Sequence, residues 1–234
     1  VGTDYKETSI SSNVYKIIRN CQLQGGLAIA CGDAGIGKTQ ACRQYYREHG
    51  TNCTYITVNP CIKSSKSVLE LIGSKLNVSS GSVSRLWLEI SSKLSDGMVI
   101  IVDEAQHLTR NAIDTLRSLC DCFDEKGQTL GICFVGNETT VSRLGGKQKA
   151  EFAQIRNRTK NTRFYSVKQI KKSDIEMLFP DIREDAAAVE FLLRIAQSPQ
   201  AIRGAVNLYS NALDNGNVTA KGLSAIAKYM DMAV

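Results

Sequence analysis

Gly32-Asp33-Ala34-Gly35-Ile36-Gly37-Lys38-Thr39 stands between an apolar run, Leu27-Ala28-Ile29-Ala30-Cys31, and a segment from Gln40 to His49 with helical character. The octet fits the spacing glycine, four residues, Gly-Lys-Thr, and a strand before it with a helix after it is the context in which that spacing cradles phosphate. The glycines let successive main-chain N–H groups turn toward phosphate oxygens, and the helix N-terminus adds favourable potential for an anion. Residues Gly32 to Thr39, with Gln40, are therefore expected to bind a nucleotide, Lys38 reaching the β- and γ-phosphates and the Thr39 hydroxyl ligating Mg²⁺. Asp33 is an acid inside an anion-binding loop, so its carboxylate must turn away from the phosphates.

Further along, Met98-Val99-Ile100-Ile101-Val102 is a continuous apolar run rich in β-branched residues, as a strand buried on both faces requires. It delivers Asp103-Glu104 at its carboxyl end, where open α/β sheets place their ligand chemistry. Asp103 is expected to bind the cofactor through Mg²⁺, and Glu104 to act as general base on the water that attacks the γ-phosphate. Two acids after a strand also serve as a helix cap when they stand alone; the cradle upstream favours the catalytic role.

The 234 residues suffice for one large domain or a core with a small appendage. No apolar run approaches the ~20 residues of a membrane span, and the first seven residues lack the basic and apolar regions of a signal peptide. Eight cysteines are scattered without zinc or redox spacing, which suggests reduced, mostly buried thiols in a cytoplasmic protein. The net charge of +6 is carried wholly by residues 1–165, while residues 166–234 hold eight basic and eight acidic side chains. Between Arg143 and Arg163 seven basic residues face one acid, Glu151, an excess that attracts polyanions or forms a solvated basic face.

Periodicity predicts alternating elements: a helix over Ser12 to Cys21 and strands Leu27 to Cys31 and Cys53 to Val58. Helices follow over Ser67 to Leu76 and Ser82 to Leu94, the latter burying Val83, Leu86, Ile90 and Leu94. After the acid-bearing strand come a helix from Asn111 to Phe123 and strands Leu130 to Val135 and Asn161 to Val167. The alternation implies an α/β fold with a parallel five-stranded sheet flanked by helices. From Lys171 onward only helical patterns occur, broken at Pro180, Ser198-Pro199 and Asn215-Gly216. The expected division is a nucleotide-binding α/β domain over residues 1–166 and a small all-helical lid over 167–234. Gly136-Asn137 ends the fourth strand, so Asn137 is a candidate sensor of the γ-phosphate and attacking water. Arg203, in Pro199-Gln200-Ala201-Ile202-Arg203-Gly204, sits at a helix start from which a guanidinium could lean onto the γ-phosphate. Val14 and Tyr15 are candidates for the adenine pocket by position.

These segments resemble those of the AAA+ ATPases and, more closely, of the phage Mu transposition protein B-like family of transposon target-selection ATPases. The resemblance runs from about Val14 to Tyr229. It rests on Cys31 to Thr39, on Val102-Asp103-Glu104-Ala105-Gln106-His107-Leu108, on Gly136-Asn137, on Gly145-Gly146 with Glu151-Phe152-Ala153, and on Ala201-Ile202-Arg203. It implies ATP with Mg²⁺ bound between neighbouring subunits, a homo-oligomer or helical filament on double-stranded DNA, and recruitment of a transposase. By the same resemblance Arg158, with Arg156 as rival, is the arginine finger supplied to a neighbouring site. Lys63, Lys66, Arg143, Lys147 and Lys149 would contact DNA phosphates, giving binding that is nearly independent of sequence. The family carries an N-terminal helix-turn-helix, for which the stretch before Ser12 is too short. The alternative function is a nucleotide switch that gates a protein partner with little hydrolysis.

Overall fold

In the computed structural model the described residues are 5–140 and 159–232. They divide into two compact units: one holds Val14–Gly32 and Ala41–Phe164, the other the N-terminal arm through Asn13, the loop Asp33–Gln40, and the chain from Tyr165 onward.

The first unit is built on a five-stranded sheet in the order β2-β3-β4-β1-β5. The strands are β1 (Gly26–Gly32), β2 (Cys53–Thr57), β3 (Met98–Asp103), β4 (Leu130–Gly136) and β5 (Thr159–Tyr165). β1 runs parallel to β4, β4 to β3 and β3 to β2, with Ile29 opposite Phe134, Val102 opposite Phe134, and Ile56 opposite Val102. All residues of β3 and β4 are buried, which explains why their sequences are apolar at every position instead of alternating. Ile29, Ile100, Val102, Ile132 and Phe134 project from one face into a cluster completed by Leu69, Ile72, Leu86, Ile90, Leu116 and Phe123. Those last six come from α3 (Ser65–Lys75), α4 (Val83–Lys93) and α5 (Arg110–Glu125). The intervening positions Ala28, Ala30, Val99, Ile101 and Cys133 are equally buried on the opposite face, as a period of two demands.

α1 (Ser9–Gln24) presses against β4 so closely that a Cβ at Gly131 would lie 2.4 Å from the Cys21 carbonyl oxygen. The eight thiols are unbridged, and burial pushes those of Cys21 and Cys53 up to about 12.

Three expectations need correction. The first helix begins at Ser9, not Ser12, because buried Asp174 accepts both the Ser9 N–H and hydroxyl at 2.7 Å. β5 ends at Tyr165, because Val167 enters a 3₁₀ turn and gives its N–H to the Asp33 carboxylate at 2.8 Å. Val83 lies 39% exposed in the first turn of α4, outside the cluster that takes Leu86 and Ile90.

Besides the first turns of α1 and of the helix that follows the loop, the described residues of the second unit include the helices α6 (Lys172–Leu178), α7 (Ala186–Ala196), α8 (Ala201–Asp214) and α9 (Ala220–Tyr229). α7, α8 and α9 pack pairwise, and α6 packs on α7. Val189, Leu192, Ile195, Leu208 and Leu223 form their buried stripe at the spacing of one helical face. Asp185 caps α7, its carboxylate accepting the N–H groups of Ala187 and Ala188. Among the described residues no helix is long and apolar enough to cross a membrane.

Candidate nucleotide-binding site

The loop after β1 is shaped by two glycines in the left-handed region, Gly35 at φ +75° and Gly37 at φ +98°. Both conformations are costly for a side-chain-bearing residue. Space is short at Gly35: a Cβ there would meet those of Arg203 and Ala201 at 3.1 and 3.2 Å. The Arg203 N–H donates to the Gly35 carbonyl at 3.1 Å, so the first turn of α8 is hydrogen-bonded to the cradle. The loop's N-terminal end is tied as well, the Asp33 N–H donating to Tyr165 O at 3.0 Å. With its carboxylate taken by Val167, Asp33 is turned to the start of a 3₁₀ turn.

Lys38 opens α2 (Lys38–His49) and is buried to 9% exposure, its ammonium donating to Asp33 O at 2.6 Å. Thr39 is half-buried and Gln40 exposed in the same first turn. Nearest Gly37 are Thr8, just before α1, and Ser11 in its first turn, each with an atom 3.8 Å from an ideal Cβ there. Thr8 and Ser11 are almost wholly buried and bonded to each other, and Tyr5 donates its hydroxyl to Ser11. Neither was singled out from the sequence, although a run of small hydroxyl residues at a helix start is a visible signal. Val14 is enclosed in the core and Tyr15 donates to Glu48 near the C-terminal end of α2.

In the sheet unit, β1, β4 and β3 end along one edge at Gly32, Gly136 and Asp103. Asp103 is 2% exposed and its carboxylate accepts the Glu104 N–H at 2.9 Å and the Tyr55 hydroxyl at 3.0 Å. Burial, reinforced by the Asp103 charge, pushes the Tyr55 phenol up to about 12, so it remains a donor. Glu104 is exposed and left-handed, φ 58°, and starts the 3₁₀ turn Ala105–His107. Gln106 donates to its carboxylate. The same carboxamide accepts the Asn137 N–H at 3.2 Å. The Asn137 Oδ1 accepts the N–H of Thr139 at 3.0 Å and its hydroxyl, leaving Nδ2 as the donor for a ligand. Sequence reasoning gave no role to Tyr55 or Gln106, because partners distant along the chain leave no local pattern.

Taken separately, the buried Asp103 carboxylate and the Thr39 hydroxyl are each hard oxygen donors of the kind Mg²⁺ prefers. Among the described residues no group of three or more His, Cys, Asp or Glu forms a metal cage, and Mg²⁺ with a triphosphate needs none. Of the expected DNA contacts, Lys63 is exposed in the loop after β2, its carbonyl accepting the Thr109 N–H at 3.0 Å. Lys66 is exposed in the first turn of α3 and lies 4.0 Å from Glu70. Arg143, Lys147, Lys149, Arg156 and Arg158, with Gly145-Gly146 and Glu151 to Ala153, lie outside the described residues.

A parallel sheet, a glycine cradle with lysine and threonine, and an acid pair at a strand's carboxyl end define a P-loop nucleotide-binding protein. Residues 21–144 match the AAA domain family, and the chain belongs to it. It is similar to the ATP-dependent target DNA activator B of Escherichia phage Mu, 29% identical over 93% of this chain and 68% of that protein. The Mu-like prophage FluMu DNA transposition protein B of Haemophilus influenzae is 28% identical over 87% of this chain and 71% of its own length. Among solved structures, Cdc6p from Pyrobaculum aerophilum superposes with a TM-score of 0.69 over 97% of this chain and 69% of that one. At 16% identity that likeness concerns the fold.

Proposed function

We propose that this chain is an ATP-hydrolysing AAA+ protein that binds duplex DNA without sequence preference, assembles on it, and recruits and activates a transposase. The names of the two phage-type relatives support the transposition setting, one as a target DNA activator and the other as a transposition protein. The observation that supports nucleotide control most directly is the main-chain bond from Arg203 to Gly35. A ligand that reshapes the cradle at Gly35 acts at once on α8, and through α8 on the helices packed around it.

The cradle N–H groups and Lys38 hold the β- and γ-phosphates, and Arg203 directs its exposed guanidinium to the γ-phosphate. Thr39 would offer its hydroxyl and Asp103 its carboxylate to Mg²⁺, which would neutralise charge on the phosphates. Glu104 accepts a proton from the attacking water, and Asn137 orients that water through Nδ2. Arg158, or Arg156, enters from a neighbouring subunit at the interface where hydrolysis occurs. Residues 167–234 serve as the lid. Lys63, Lys66, Arg143, Lys147 and Lys149 bind DNA phosphates, which sets orientation and carries no sequence information.

Two measurements test this. Steady-state phosphate release should rise when duplex DNA of arbitrary sequence is added, and electron microscopy with DNA and a slowly hydrolysed ATP analogue should show ordered assemblies. Equal DNA affinity with and without nucleotide, together with no phosphate release, overturns the reading.

A further inference from the structure

We propose that Gln106 is a positioning residue that holds the Glu104 carboxylate in one orientation and couples it to the end of β4. The inference rests on the hydrolytic reading above. Glu104 is an exposed, long side chain on a backbone in the left-handed region, φ 58° and ψ 32°. Such a side chain samples several rotamers unless a bond selects one. The Gln106 Nε2 donates to Glu104 Oε2, a bond strengthened by the carboxylate charge. It occupies one oxygen and leaves the other for water.

The second half of the carboxamide is equally committed. Its Oε1 accepts the main-chain N–H of Asn137, the sensor candidate at the carboxyl end of β4. One rigid amide group thus spans the base and the sensor, and a shift of either moves the other. Gly136 makes the bridge possible: a Cβ there would lie 2.5 Å from Gln106 Oε1 and 2.2 Å from Thr140 Oγ1. A hydrogen at 136 is the only substituent compatible with the carboxamide where it sits. A glutamine that merely supported the Asn137 turn would need its acceptor half alone. The donor half aimed at Glu104 is what assigns it to the reaction.

The test compares Gln106→Glu, which keeps an acceptor for Asn137 but loses the donor, with Gln106→Leu, which loses both. Both should lower kcat for ATP by at least ~10-fold while KM and the affinity for a fluorescent ATP analogue change by less than about 3-fold, since misorientation costs turnover and not binding. Gly136→Ala, which displaces the carboxamide without altering Gln106, should reproduce the loss. Adding Gln106→Leu to it should cost little more, as residues acting as one unit are not additive. Retained kcat in Gln106→Glu with loss only in Gln106→Leu reduces the residue to turn support and overturns the proposal, as does retained kcat in both. A wild-type protein that binds ATP and releases no phosphate overturns the hydrolytic reading itself. Thermal melting of each variant separates unfolding from lost positioning. If Gln106→Leu fails to fold, Gln106→Glu, which keeps the Asn137 bond, decides.

Discussion

The cradle after β1 and the sheet edge that ends in Asp103 and Glu104 are made of different materials. The cradle is backbone: glycines at φ +75° and +98° shape it, and its ties to Arg203 and Tyr165 are main-chain bonds. The sheet edge relies on side chains: Tyr55, Asp103, Glu104, Gln106 and Asn137 are linked by hydrogen bonds in each of which at least one partner is a side chain. A backbone device fails when a conformation is forbidden, whereas a side-chain device fails one contact at a time. Binding is thereby assigned to the first and turnover to the second.

The largest effects separate those assignments. Lys38→Ala should weaken ATP by about 100-fold or more in calorimetry, because a cation buried among phosphates makes several charge-assisted bonds. Glu104→Gln should leave affinity within about 3-fold and cut phosphate release by ~10²- to 10⁴-fold, the range of general-base catalysis. If Glu104→Gln weakens binding as much as Lys38→Ala does, the division between the two regions is wrong.

Next come two glycines with the same φ and different surroundings. Gly35 and Gly97 both have φ +75°, but a Cβ at Gly97 meets nothing within 4 Å. Gly97→Ala should cost about 1 kcal/mol from conformational strain alone. Gly35→Ala carries the same strain plus crowding against Arg203 and Ala201, so it should cost at least ~1 kcal/mol more and weaken ATP by about 10-fold. Urea unfolding of the two variants, paired with nucleotide titration, measures the difference. Equal losses would mean that the cradle does not feel α8.

The same contrast explains what could be read in the sequence. Backbone devices announce themselves, since only certain residues at fixed spacing adopt them. Gly32 to Thr39, the apolar runs of β3 and β4, and the parallel five-stranded sheet were legible for that reason. Strand ends were less so: nothing local marked that Asp33 would take the Val167 N–H and stop β5 at Tyr165. Likewise the reach of α1 back to Ser9 depends on Asp174, 165 positions away. Gln106 stood inside a quoted motif, yet its partner Asn137 is 31 positions distant and its room comes from the glycine that ends β4. Contacts set by tertiary packing have no periodicity to detect.

A smaller effect extends the comparison to DNA. Replacing both Lys63 and Lys66 by alanine removes two exposed cations of the sheet unit and touches neither nucleotide device. The slope of log affinity against log salt should fall in magnitude by about 2, with ATP affinity unchanged. Lys66 has Glu70 at 4.0 Å, but an exposed pair of this kind is worth only about 0–1 kcal/mol and does not withhold the lysine from phosphate. An unchanged slope, measured by anisotropy across a salt series, moves the DNA face away from the loop after β2.

The smallest effect concerns a single contact of the side-chain-built edge. Tyr55→Phe removes the hydroxyl that donates to Asp103 and accepts from Thr57. One such bond contributes about 0.5–1.5 kcal/mol to stability, while the ring packing survives. The pH dependence fixes the cause. Folding raises the Tyr55 phenol from its ordinary 10 to about 12, so the folded state favours the protonated form. Its contribution is complete below pH 10 and is lost as pH climbs from 10 through about 12. The stability gap between wild type and Tyr55→Phe, measured by urea unfolding without nucleotide, should be constant from about pH 7 to 9 and shrink above 10. A gap that persists at high pH would show that the hydroxyl proton contributes nothing to holding Asp103.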